Sequence, residues 1–314
     1  MENSTSLNVT TYIITFDGYV DLHKFSYLYF VLTLTVYILI IFSNVTIVYL
    51  ISAHQSLHEP MYVFIAALLL NTVLSSTNIY PKMLIDFLSD KQVISYSACL
   101  FQFFLFYSLG GSEFFILAAM AYDRYVSICK PLQYPNIMTN TTIIICLCLA
   151  WFVPVLQTTT SLILLHKTQV KLCNFDVKGI FCNNAIYTLH CSRPRSVTIL
   201  GVLAVVDSVI LPLLFIVFTY TKILIIAYRS CKEVRKKAAE TCLPHLLVLF
   251  SLTFLSAYDI VIVRIESDVP KMVQMIMTLQ IFLYHPLFNP IIYGLKMKEI
   301  YKHLKQLLCQ LKII

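Results

Sequence analysis

The chain has 314 residues, 59% of them hydrophobic and only 12% charged, with a formal net charge of +7 and a mean hydropathy of +0.79. A soluble domain carries a charged fraction of roughly 25%, so this chain lacks the polar surface to cover a water-soluble globule of its size, and lipid must solvate much of its exterior. A bilayer leaves no backbone group unpaired, and the long apolar runs lack the alternation of barrel strands; the composition therefore implies an all-α membrane protein.

In chain order, residues 1–24 read as a polar N-terminal tail. Met1 to Thr11 show no basic flank before an apolar core, so no cleavable leader is expected and the first span acts as an uncleaved anchor. The tail carries two glycosylation sequons, Asn3-Ser4-Thr5 and Asn8-Val9-Thr10. Seven spans are predicted at 25–52, 60–88, 97–129, 141–165, 197–229, 238–264 and 270–294, each with the roughly 20 apolar residues a bilayer crossing needs. They make residues 25–294 one seven-transmembrane helix bundle. Residues 295–314 follow as a tail, in which 296–310 set Ile300, Leu304, Leu307 and Leu308 against Lys298, Lys302 and Lys305. That pattern suits a short C-terminal amphipathic helix lying on the membrane surface. Two further sequons, at Asn44 and Asn140, fall in a span and on the opposite side from the tail, where they are expected to be silent.

An odd number of spans places the termini on opposite sides. One side gathers 13 basic residues, Arg124, Lys130, Lys222 and Arg229 among them, against 5 acidic ones. The other side balances. Positive charge marks the cytoplasm, so the N-terminus is expected outside and the C-terminus inside. Cysteines point the same way. Cys99 opens the third span and Cys173, Cys182 and Cys191 crowd the loop between spans four and five, all on the oxidising side. Four cysteines allow three pairings, among which spacing does not choose.

Met120-Ala121-Tyr122-Asp123-Arg124-Tyr125-Val126-Ser127-Ile128-Cys129 closes the third span with two adjacent opposite charges at the membrane edge, costly unless paired or wetted. By itself this reads as an interfacial ion pair. Its surroundings resemble the signature at the same place in odorant receptors, members of the rhodopsin-like G-protein-coupled receptor superfamily. The resemblance recurs in order along the chain: Leu57-His58-Glu59-Pro60-Met61-Tyr62 entering the second helix, Pro81-Lys82-Met83-Leu84 leaving it, and Tyr220-Thr221-Lys222-Ile223 ending the fifth. Lys237-Ala238-Ala239-Glu240-Thr241-Cys242-Leu243-Pro244-His245-Leu246 is similar to the start of the sixth, and Pro286-Leu287-Phe288-Asn289-Pro290-Ile291-Ile292-Tyr293 to the seventh-helix motif of rhodopsin-like receptors. The helix-six motif separates odorant receptors from other members of the superfamily. The chain departs from the pattern in two places. Asn71 and Thr72 stand where the family carries a buried Asp, so a sodium site between helices two and three would rest on Glu113 alone. Pro244 removes a backbone hydrogen bond within helix six and favours a kink there.

The resemblance implies a receptor without cofactor that takes a small-molecule odorant and activates a heterotrimeric G protein of the stimulatory, olfactory type, raising cAMP at the plasma membrane. It implies a two-state switch in which Arg124 pairs with Asp123 at rest and is released as helix six swings outward, with Tyr125, Tyr220, His245, Asn289, Pro290 and Tyr293 in the same machinery. It also implies disulfides Cys99–Cys182 and Cys173–Cys191, and a ligand in the outer half of the bundle. Phe106, Tyr107, Gly110 and Gly111 are candidate wall residues; the adjacent glycines are equally explained by close helix packing. Asp207, Asp259 and Arg264 lie in outer helix halves, where ionisable groups are functional candidates. Arg264 is placed to clamp a carboxylate with its forked donors, or else to form a structural ion pair with Asp207, Asp259 or Glu266. The basic stretch Arg229 to Lys237 reads as the third inner loop, facing acidic lipid and the G protein.

Other classes fit less well. A transporter is expected to show inverted repeats and broken helices, and neither is visible. An enzyme needs a convergent catalytic set; His190 with Cys191 lies in an outer loop and His245 near the inner edge. A rhodopsin-like receptor for a small anionic metabolite or lipid is the nearest rival, and the helix-six motif argues against it. No basic stretch of nucleic-acid-binding type is present.

Overall fold

A computed structural model describes residues 12–19, 22–167, 171–192, 195–230, 232–262 and 270–311, with the backbone alone at 22–24, 232–235, 237–241, 255, 258–262, 281 and 310–311. Seven membrane-length helices form the bundle: α1 (Leu22–Ala53), α2 (Pro60–Leu88), α3 (Tyr96–Cys129), α4 (Asn140–Lys167), α5 (Arg195–Arg229), α6 (Lys232–Ile262) and α7 (Lys271–Lys296). A shorter helix, α8 (Lys298–Leu311), follows. Among the described residues six of these are long and apolar enough to cross a bilayer, and α6 adds the apolar stretch Cys242–Phe254. Aromatic rings such as Phe42, Phe152, Phe218 and Phe250 are more than half exposed on the outside of the bundle. An apolar belt of that extent is solvated by lipid, and the chain is a multi-pass membrane protein.

Helix starts follow local chemistry. Pro60 occupies the first turn of α2, where its missing N–H costs nothing. The Ser95 hydroxyl caps α3 by accepting from the Ala98 N–H at 3.3 Å. Thr139 does the same for α4 through Thr142 N–H, also at 3.3 Å. α6 differs most from expectation. The spans were drawn from hydropathy, which stops at the membrane edge, whereas helical hydrogen bonding continues into water. α6 therefore begins at Lys232, and only Ser230 and Cys231 separate it from α5. The basic stretch therefore holds the last residue of α5, Arg229, and from Lys232 the first turns of α6. α6 also runs through Pro244 without interruption.

Internal prolines elsewhere leave carbonyls without a helical donor, and side chains of neighbouring helices supply it. Pro286 cannot donate to Phe282; the Tyr80 hydroxyl of α2 does so at 2.9 Å. Pro290 cannot donate to Pro286; the buried Asn44 amide of α1 does so at 3.1 Å. Pro212 cannot donate to Ser208, and the turn before it widens to a π-helical turn at Val206–Ile210.

α3 is the central helix, packed on α2, α4, α5 and α6. One continuous core, with Phe64, Leu68, Leu117, Met120, Ile216, Leu249, Tyr293 and Ile300, fills the half of the bundle nearer α8. The other end is closed by a three-stranded sheet of β1 (Ile13–Phe16), β2 (Val93–Ser95) and β3 (Asp176–Val177), in the order β2-β1-β3. β1 runs antiparallel to β2, with Ile14 opposite Ile94, and parallel to β3, with Phe16 opposite Val177. Beneath it Ile14, Val177, Ile186 and Leu189 bury around the bonded pair Cys99–Cys182. Cys173 is bonded to Cys191 within the segment that carries β3.

Candidate functional site

Beneath the sheet the helices enclose a cavity of about 260 Å³. Its walls come from α2 to α7 and from the helical turn Asn184–Leu189. Aromatic rings form the upper part: Phe106 lies 6.2 Å from Phe282 between ring centroids, and both lie 4.9 Å from Phe181, which belongs to the covering segment. The Tyr107 hydroxyl accepts from Asn184 N–H at 3.0 Å, and the Gln102 side-chain oxygen accepts from Cys182 N–H at 2.9 Å. The wall of α3 thus holds the covering segment in place by two side chains.

The deeper part is polar. Glu113 of α3 is buried, with Oε2 2.9 Å from His285 Nε2 of α7 and Oε1 3.3 Å from the Asn71 amide nitrogen of α2. Asn71 also donates to Leu109 O at 2.9 Å and accepts from the Trp151 indole N–H at 3.3 Å, so one amide joins α2, α3 and α4. One turn beyond His285, Asn289 donates to Thr72 Oγ1 at 3.3 Å. On the α4–α5 side, Ser208 donates to Gln157 Oε1 at 2.5 Å, and Gln157 Nε2 donates to Asp207 at 3.4 Å. The widened turn of α5 brings this serine against α4.

The expected wall residues Phe106, Tyr107, Gly110 and Gly111 all line the cavity. The two glycines serve different ends. A Cβ at Gly111 would sit 2.9 Å from Pro154 Cβ, so close approach of α3 and α4 requires glycine there. A Cβ at Gly110 meets nothing within 4 Å. Asp207 is not among the lining residues; its neighbour Ser208 is. Arg264 and Glu266 lie outside the described residues, as do Asn3 and Asn8, and the side chain of Asp259 is not described. No lysine or arginine lines the cavity among the described residues.

Glu113, the expected sodium ligand, is engaged by protein groups. Both its oxygens already face nitrogen groups, whereas sodium wants several free hard oxygens. Among the described residues no cluster of three or more His, Cys, Asp or Glu is arranged for a metal. His285 and Ser76 escaped the sequence reading, because neither belongs to a quoted motif. The signal available was helical spacing: His285 lies four residues before Asn289, on the same face of α7.

Toward α8, Arg124 donates through Nε and Nη2 to Asp123 Oδ2 at 3.0 and 2.5 Å. The Tyr134 hydroxyl, between α3 and α4, holds the other oxygen of Asp123 at 2.8 Å. Burial, and then the negative charge of Asp123, push the Tyr134 phenol above its ordinary value, so it remains a donor. Tyr125 is half-buried against the same core. Tyr293 lies 3.5 Å from His245 Nδ1, while the buried Tyr220 hydroxyl and His245 Nε2 have no partner among the described residues. Arg124 thus pairs with its own neighbour, while Tyr220 and Tyr293 are buried in the same core.

Comparison with known proteins bears on this arrangement. A family model described as olfactory receptor matches residues 33–311. The human olfactory receptor 11A1 is 32% identical over 298 residues, covering 93% of this chain and 92% of its own length. Human olfactory receptor 2AT4 is 34% identical over 289 residues, 90% and 88% of the two chains. Human olfactory receptor 11G2 is 36% identical over 297 residues, 89% and 81% of the two chains.

Proposed function

The chain belongs to the olfactory receptor family, G-protein-coupled receptors and not enzymes, and from that premise we propose that it binds an odorant in the cavity beneath the sheet and activates a stimulatory heterotrimeric G protein, raising cAMP. In this reading the sheet end faces outward at the plasma membrane. The disulfides then lie on the oxidising side, the basic ends of α5, α6 and α8 face the cytoplasm, and Asn3 and Asn8 are available for glycosylation.

The observation that carries the proposal is the continuity of α7. His285 and Pro286 line the cavity, and Asn289 and Tyr293 follow at one-turn intervals toward the Arg124 end. A ligand shifts a two-state protein only through different affinity for the two states. One touching His285 and the rings of Phe106 and Phe282 contacts α3 and α7 at once, and their relative position differs between the states. The Arg124–Asp123–Tyr134 group is then the resting latch, released as the end of α6 near Tyr220 and His245 moves away.

The test is cAMP in cells carrying the olfactory stimulatory G protein and either the wild type or Arg124→Ala, at surface levels matched by an N-terminal tag. A pooled odorant panel is expected to raise cAMP in the wild type and not in the variant. A response that survives loss of Arg124 overturns the switch assignment. Response through another G-protein class overturns the coupling.

A further inference from the structure

The polar floor of the cavity has more hydrogen-bonding capacity than its own groups use. Thr72 is engaged on both sides, donating to Leu68 O at 3.0 Å and accepting from Asn289. Glu113 is engaged by His285 and Asn71. Among the described side chains that line the cavity, two buried atoms are left over. Ser76 Oγ and His285 Nδ1 are buried without a hydrogen-bond partner, on residues only 2% and 6% exposed, and both residues line the cavity. An unpaired buried polar group is costly, and a native one calls for a physical reason.

We propose that Ser76 and His285 form a deep subsite for the hydroxyl of a neutral alcohol or phenol, whose apolar body lies against Phe106 and Phe282. The inference rests on the cavity being the ligand site and deepens that reading to a ligand class. The Glu113 carboxylate accepts from His285 Nε2–H, so in the neutral ring Nδ1 is a bare acceptor; in the imidazolium it is a donor. A hydroxyl satisfies Nδ1 in either state, and it donates to or accepts from Ser76 Oγ as required. An ether or aldehyde oxygen accepts only, and leaves the neutral Nδ1 unpaired. A carboxylate is repelled by Glu113 and meets no lining lysine or arginine among the described residues. The subsite is formed by α2 and α7, and shares one cavity with the α3 wall residues read from the sequence.

The experiment separates binding from signalling. Purified full-length receptor in detergent is heated with medium-chain primary alcohols and alkylphenols and, in parallel, with their methyl ethers, aldehydes and carboxylic acids. The same compounds are applied to cells in the cAMP assay. The hydroxyl compounds are expected to stabilise the protein, with potency roughly tenfold above the matched ethers, the size of one buried hydrogen bond. Ser76→Ala is expected to erase that preference and Ser76→Thr to keep it. Equal or better stabilisation by the ethers or carboxylates, or none by any hydroxyl compound, overturns the subsite. Stabilisation by alcohols with no cAMP response leaves the subsite standing and removes the proposed coupling instead.

Discussion

Asp123 is fully buried and holds three hydrogen bonds, two from Arg124 and one from Tyr134. Removing the Tyr134 hydroxyl loosens the acceptor that pins Arg124 without touching the arginine. Tyr134→Phe is therefore expected to raise ligand-free signalling about two- to tenfold, the range that loss of one hydrogen bond allows; basal cAMP at matched surface level measures it. The raised phenol stays protonated, and so a donor, at neutral pH, and its bond to Asp123 is lost only as pH climbs well beyond the ordinary tyrosine value of about 10. Glu113 leads to a second expectation. Its oxygens are committed to His285 and Asn71, so exchanging sodium for a bulky organic cation at constant ionic strength should leave ligand potency within about twofold. A clear sodium dependence would restore an ion to this place. The Asp123–Arg124 pair was legible in the sequence because adjacent opposite charges at a membrane edge must be paired. His285 was not, since a histidine acquires its role from whatever packs against it.

Helices meet through small and proline-bearing faces, and the two cavity glycines give that a measurable form. Gly111→Val drives a branched side chain into Pro154, a rigid ring with no rotamer to escape by, and should cost about 1–3 kcal/mol of stability. Gly110→Ala points into open space and should leave thermal stability unchanged while altering odorant potency. The comparison is made by thermal unfolding of the purified proteins and by dose–response in cells; equal destabilisation at both positions would contradict the packing described. Seven helices were legible from apolar runs alone, and α2 matches the expected 60–88. The early start of α6 was not, because its first turns carry charged residues that hydropathy assigns to a loop. Nor did the sequence reveal which side chains complete the prolines of α7. Tyr80 and Asn44 belong to helices more than 200 residues distant in the chain.

The sheet end is a cover held by covalent and polar ties. Cys99–Cys182 fixes it to α3, and Lys271 reaches Asp17 at 2.6 Å to tie α7 to the segment after β1. Tyr19, its phenol raised first by burial and then by Asp86, donates to both Asp86 and Ile180 O. At Gly18 a side chain would strike the backbone of Gly179, so the two segments cross only through glycine. Loss of a native disulfide commonly costs about 2–5 kcal/mol, so Cys99→Ser is expected to abolish surface display, counted with an N-terminal tag. Normal display with unchanged odorant response would show that the cover is dispensable. At this scale the sequence by itself determined an all-α membrane bundle, its span count, the family it resembles and the Asp123–Arg124 ion pair at the membrane edge, because those follow from apolar run length, local charge and contiguous motifs. Only the tertiary structure decided the cavity, the Glu113–His285 contact, the carbonyls rescued behind Pro286 and Pro290, and the small sheet over the mouth. Each joins residues distant in the chain, and their meeting depends on how the helices pack rather than on any local preference.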